Sequence, residues 1–227
     1  MLQSVDVDRL VEIAAREGVQ ISVRPRIGDF VPLGAVILVV TVSDGDRSPP
    51  LDHEALADWL RSGVGIGGER TMQQDIAFGL RQLVDIGVRA LSPGVNDPTT
   101  AVQALDRLHG LLRSLGSKAM PASSHRDAAH VVRVDLSAAG WDDYVHLAFD
   151  EIRHHGGESM QVLRRLRSAL DDLVVAVPAE RRAPLRDQIA LVEAAAARGF
   201  PDLVDCENAA RPDAQGIGSG RFASPGM

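Results

Sequence analysis

The chain predicts an α+β fold, a small β-containing N-terminal unit followed by a mostly α-helical bundle. Two observations carry this. Alternating, β-branched stretches concentrate before residue 43, and from Leu51 onward the apolar spacing changes from two to about 3.6. A third sets the scale: 227 residues, 45% apolar but only 4% aromatic, can bury a core of Leu, Val, Ile and Ala without covalent staples.

Taken in order, "DVDRLVEIAARE" (6–17) reads as a helix with Leu10, Ile13 and Ala14 inward, ended by Gly18. "VQISVRP" alternates as a strand, "RIGD" turns, and "FVPLGAVILVVTV" (30–42) supplies one or two more strands. "SDGDRSPP" (43–50) is a loop. "LDHEALADWLRSG" is a helix with Asp52 as N-cap, and "GVGIGG" (63–68) a flexible inter-helix loop. "TMQQDIAFGLRQLVDIGVRAL" (71–91) is a long helix striped by Ile76, Leu80, Leu83, Val84, Val88 and Leu91. "SPG" breaks it, Asn96 or Asp97 caps the next helix (98–116), and Pro98 takes the favoured first position. "MPASSHRDAAH" is a loop and "VVRVDLS" (131–137) a short strand. Three further helices follow, the first with Val145, Ala148, Phe149 and Ile152 inward. The domains are drawn at 1–48, 49–118 and 119–209, with a Gly/Ser/Pro-rich disordered tail over 210–227.

Charge and composition exclude several function classes. A net charge of −7 opposes a nucleic-acid footprint, which needs a concentrated basic face. The single Cys206 rules out an internal disulfide or thiolate cluster and suits a reducing cytoplasm. "MLQSVDVDRL" carries no signal peptide, and the run 30–42, interrupted by Pro32 and Gly34, is too short for a membrane-spanning helix of about 20 residues. Gly63-x-Gly65-x-x-Gly68 spells a dinucleotide fingerprint but follows a helix rather than a strand, and Glu69 stands where a P-loop needs Lys. The glycines of "IGDFVPLGAVIL" resemble the hammerhead of biotinyl and lipoyl carriers. The only lysine, Lys118, lies far from them, so no covalent cofactor is expected, nor any other cofactor.

Three polar constellations remain. Arg81, Asp85 and Arg89 form an i, i+4, i+8 ladder on the long helix, read first as a structural network. The elbow "RALSPGVNDPTT" sets Arg89 near a helix N-terminus, a natural anion site, although Asp97 competes for that position. His146, Asp150 and His154 carry metal-ligand chemistry, but they extend over about 12 Å of helix and cannot close on one ion alone. Asp85 or His109 would have to complete the set, so the default is a solvated face without metal.

"RTMQQDIAFGLRQLVDIGVRALSPGVNDPTTAVQALDRL" resembles the signature of the bacterial domain of unknown function 2254 (DUF2254) family, predicted membrane proteins. Arg70, Thr71, Asp75, Asp85, Arg89, Ser92, Pro93, Gly94, Asn96, Asp97 and Pro98 match it, and "QSVDVDRLVEIA", "GDFVPLG" and "HLAFDEIRHHG" follow the same order. Members usually begin with several transmembrane helices, whereas this chain starts within the soluble part. The resemblance implies a membrane-associated role and supplies no reaction; the first reading is a non-enzymatic, cytoplasmic sensing, gating or assembly module, a homo-oligomer with a membrane-protein partner. Arg70, Asp75, Asp85, Arg89, Asn96 and Asp97 would lock the fold or bind a small anion. The alternative is a metal-dependent or acid/base hydrolase using the same centre, with Asp150, Arg153 and the His146/His154 face completing it.

Overall fold

The computed structural model describes residues 1–42 and 52–211; the expected loop at 43–50 and nearly all of the expected tail lie outside them. The fold is α+β, and the chain divides into two compact units, Met1–Phe78 with Pro121–Ala139, and Gly79–Met120 with the rest from Gly140.

The first unit holds both sheets. β1 (Leu2–Val5) pairs antiparallel with β4 (Val64–Ile66). A second sheet runs β3 (Leu38–Val42), β2 (Val19–Val23), β6 (Val132–Leu136), β5 (Ser124–Arg126); β2 and β6 are parallel, the other pairs antiparallel. Strand alternation sends Val19, Ile21 and Val23 inward. They meet Val134, and Leu10, Ile13 and Ala14 of α1 (Val7–Glu17), which packs on β2 and β6. Asp6 caps α1 by accepting the Arg9 N–H at 3.1 Å, and Gly18 ends it in the left-handed conformation. Asp52 caps α2 (His53–Arg61) by accepting from Glu54 and Ala55.

Four expectations are corrected here. Residues 24–37 are a loop, because their backbone bonds go to turns and to Leu2, and the strand starts only at Leu38. "GVGIGG" is not a flexible loop but contains β4, whose register across β1 places Gly65 opposite Ser4. β5 lies inside the expected loop "MPASSHRDAAH". The long helix begins at Ile76 rather than near Thr71, since the Asp75 carboxylate accepts the Phe78 N–H at 2.9 Å and sets its start.

The second unit is helical: α3 (Ile76–Ala90, from Gly79 on), α4 (Pro98–Gly116), α5 (Trp141–His155), α6 (Met160–Ala176), α7 (Ala183–Gly199) and α8 (Leu203–Ala209). α6 packs against α4 and α7, and α5 against α4 and α7. Leu105, Leu108 and Leu112 of α4, Phe149 and Ile152 of α5, and Leu163, Leu166 and Leu170 of α6 are fully buried. Each contributes on the order of 1.5–3 kcal/mol of burial. Arg181, in the 3-10 turn Ala179–Arg181, donates to the Leu115 and Gly116 carbonyls at 3.2 and 2.9 Å and so closes the end of α4. Its own carbonyl accepts the Trp141 indole N–H at 2.8 Å.

Candidate functional site

Two members of the expected elbow belong to the first unit. Asp75, only 3% exposed at its side chain, accepts two bonds from Arg70, Nε at 2.5 Å and Nη2 at 3.1 Å. The guanidinium lies 5.3 Å from the Phe78 ring centroid, within cation–π range. Gly28 presses on the pair: a Cβ there would sit 2.2 Å from Asp75 Oδ2 and 2.5 Å from Arg70 Nε, and its φ of +91° suits glycine alone. Gln74 accepts the Val5 N–H at 3.0 Å. Charge and donors are matched internally, as a lock requires.

The other four members belong to the second unit. Asp97 accepts both the Thr100 N–H (3.1 Å) and the Thr100 hydroxyl (2.5 Å). The hydroxyl bond, then the amide bond, holds its carboxyl below the ordinary range. Of the two cap candidates the structure selects Asp97; Asn96 turns the chain at φ +46° and is exposed. The Arg-Asp-Arg ladder is incomplete: Arg81 reaches Asp85 at 3.7 Å and Glu151 at 2.6 Å. Arg89 is exposed, with no ion-pair partner among the described residues.

On α5, Asp150 is the hub of a third group. It accepts from His146 Nδ1 (3.1 Å), Arg153 Nη2 (3.3 Å) and Gln188 Nε2 of α7 (2.6 Å). The proximity of Nδ1 to a carboxylate places the imidazole proton on Nδ1, so the Gln188 amide donates to Asp150 rather than to the ring. Burial pushes the Asp150 carboxyl up, but the bonds from Gln188, Arg153 and His146 outweigh it and hold the group low. Gln188 is completely buried; its Oε1 and Arg153 Nε are buried without a partner. His154 does not join: it is exposed and meets His155 edge-on at 5.4 Å. No three His, Cys, Asp or Glu side chains among the described residues are grouped to hold a metal ion.

A network between α4 and α6 is absent from the sequence reading. Arg165, 5% exposed, donates to Asp106 (2.6 Å) and to His109 Nδ1 (2.9 Å). Because Nδ1 accepts, the ring proton sits on Nε2 and is donated to Asp172 at 2.7 Å, beside Arg113 on the same carboxylate. Burial lowers the His109 pKa; the Asp172 bond opposes this, and the Arg165 charge adds to it. The available signal was Arg165 itself, a charge inside the buried stripe Val162, Leu163, Leu166, Ala169.

Comparison with known proteins bears on residues 1–172, which match the sequence model of DUF2254, a family described as predicted membrane proteins. Uncharacterised proteins of Mycobacterium bovis and Mycobacterium tuberculosis are each 37% identical over 205 residues. The match covers 90% of this chain but 39% of each relative, so the chain spans about two fifths of their length. No solved structure matches. No helix among the described residues is long and apolar enough to cross a membrane.

Proposed function

The chain belongs to the DUF2254 family of predicted membrane proteins, and we propose that within it this is a non-enzymatic sensing, gating or assembly module, cytoplasmic, oligomeric and partnered with a membrane protein. The observation that supports this reading most is the use of the elbow's charges. Arg70 and Asp75 are consumed by each other beneath Gly28, and Asp97 by Thr100. An acid catalyst needs a raised carboxyl pKa, and Asp97, Asp150 and Asp172 are all shifted the other way. Arg89, the unpaired cation of the elbow, is where a small anion would bind.

A hydrolase reading draws on the buried, unpaired Arg153 Nε and Gln188 Oε1 beside Asp150. It ranks second because Asp150 is already paired with three donors. A thermal-unfolding screen with divalent metals, inorganic phosphate and small carboxylates separates the two. A ligand at about a hundred times its dissociation constant adds roughly 2.7 kcal/mol. The module reading expects no response to metals, and a phosphate shift that disappears in Arg89→Ala. A metal-induced shift lost in His146→Ala would overturn it in favour of the hydrolase.

A further inference from the structure

We propose that the loop 24–37 is a bilayer-docking element, whose apolar tip enters the interfacial layer of an anionic membrane while Arg24 and Arg26 meet the headgroups. This deepens the membrane-associated reading above and rests on it. Leu33 is fully exposed, Phe30 is 73% and Val36 64% exposed. Three large apolar side chains at three-residue spacing on one loop leave a burial gain unused in water.

The loop is built to present them. Its base is closed by the Arg24 N–H donating to the Ile37 carbonyl at 2.9 Å. Its first half is tied to β1 by the Leu2 N–H to Asp29 O (3.0 Å) and the Gly28 N–H to Leu2 O (2.8 Å). The tip is a turn, Ala35 N–H to Pro32 O at 3.1 Å, with Gly34 at φ +86° where other residues are strained. Leu33 is therefore held outward at the apex.

The charges favour lipid over protein. No acidic residue occurs from Phe30 to Val42, while exposed Arg24 flanks the tip beside Arg26, whose Nε donates to Ser137 Oγ at 3.3 Å and whose backbone N–H donates to the Asp29 carboxylate at 2.8 Å. An apolar wedge with a basic collar matches the interface of an anionic leaflet. A stable contact between copies needs about 20–30 residues a side, far more than this tip offers. The family is described as predicted membrane proteins, which places a bilayer within reach of this loop.

The test is flotation of the 227-residue chain with vesicles of phosphatidylcholine alone or mixed with phosphatidylglycerol, with circular dichroism to show that each variant is folded. The chain should float with the mixed vesicles, and Leu33→Asp should lower partitioning by about tenfold or more. Arg24→Gln and Arg26→Gln should each cost about fivefold on mixed vesicles and little on phosphatidylcholine. Absence of flotation by the unmodified chain, or equal flotation by Leu33→Asp, would overturn the proposal. So would a dimer in lipid-free solution that Leu33→Asp dissociates without any vesicle binding, which would assign the loop to a second copy. The module reading is judged separately, by the lipid-free ligand screen.

Discussion

At Asp75 a carboxylate withdrawn from water is matched by a two-bond arginine and a helix N–H, so the energetic question is what remains when one partner goes. Asp75→Asn leaves the Arg70 guanidinium under Gly28 without its counter-charge. A loss of roughly 3 kcal/mol in chemical denaturation is expected. Gly28→Ala should cost more than about 1 kcal/mol, from positive φ and from overlap with the pair. His109 gives a pH signature. Its folded pKa lies below the ordinary 6.5, so the native state resists protonation that the unfolded chain accepts. Stability from this group is complete above about pH 6.5 and is lost as the pH falls from there toward the folded pKa. The melting temperature should fall over that window, and His109→Gln should flatten that part of the curve. An unchanged slope would show that burial and the Arg165 charge do not hold the ring neutral.

At the scale of elements, caps decide where helices begin. Asp97→Ala should cost about 1 kcal/mol of unfolding free energy, and Asp97→Asn much less, because the amide oxygen still accepts the Thr100 N–H. Such signals are local, which is why α2 and α4 were legible in the sequence with caps at Asp52 and at Asn96 or Asp97, and α1 with its end at Gly18, though not with its cap Asp6. β1, β4 and β5 were not legible: each is only three or four residues long, and β1 and β4 are defined by each other across a long stretch of sequence. The same limit applies to the site. Arg70 and Asp75 could be singled out as residues, but not their pairing under Gly28, which depends on a turn some forty residues earlier. Arg165 with His109 stayed hidden because the two lie on different helices, and a single charge in an apolar stripe does not name its partner.

The whole molecule joins these scales through a chain order that neither unit follows continuously. The first unit takes Met1–Phe78 and then Pro121–Ala139, and the later segment supplies β6, the parallel neighbour of β2. A fragment ending at Phe78 therefore lacks Val134, which packs against Ile21 and Val23, and leaves β2 with an unpaired inner edge. That fragment should show no cooperative thermal transition and should aggregate. Adding residues 121–139 as a separate peptide should restore a transition whose midpoint depends on peptide concentration, because the bound strand stabilises by mass action. Calorimetry of the fragment with and without the peptide reads this directly. A fragment that melts cooperatively by itself would mean that β1, β4, α1 and the hairpin β2–β3 form a sufficient core, and that β6 adds only its edge.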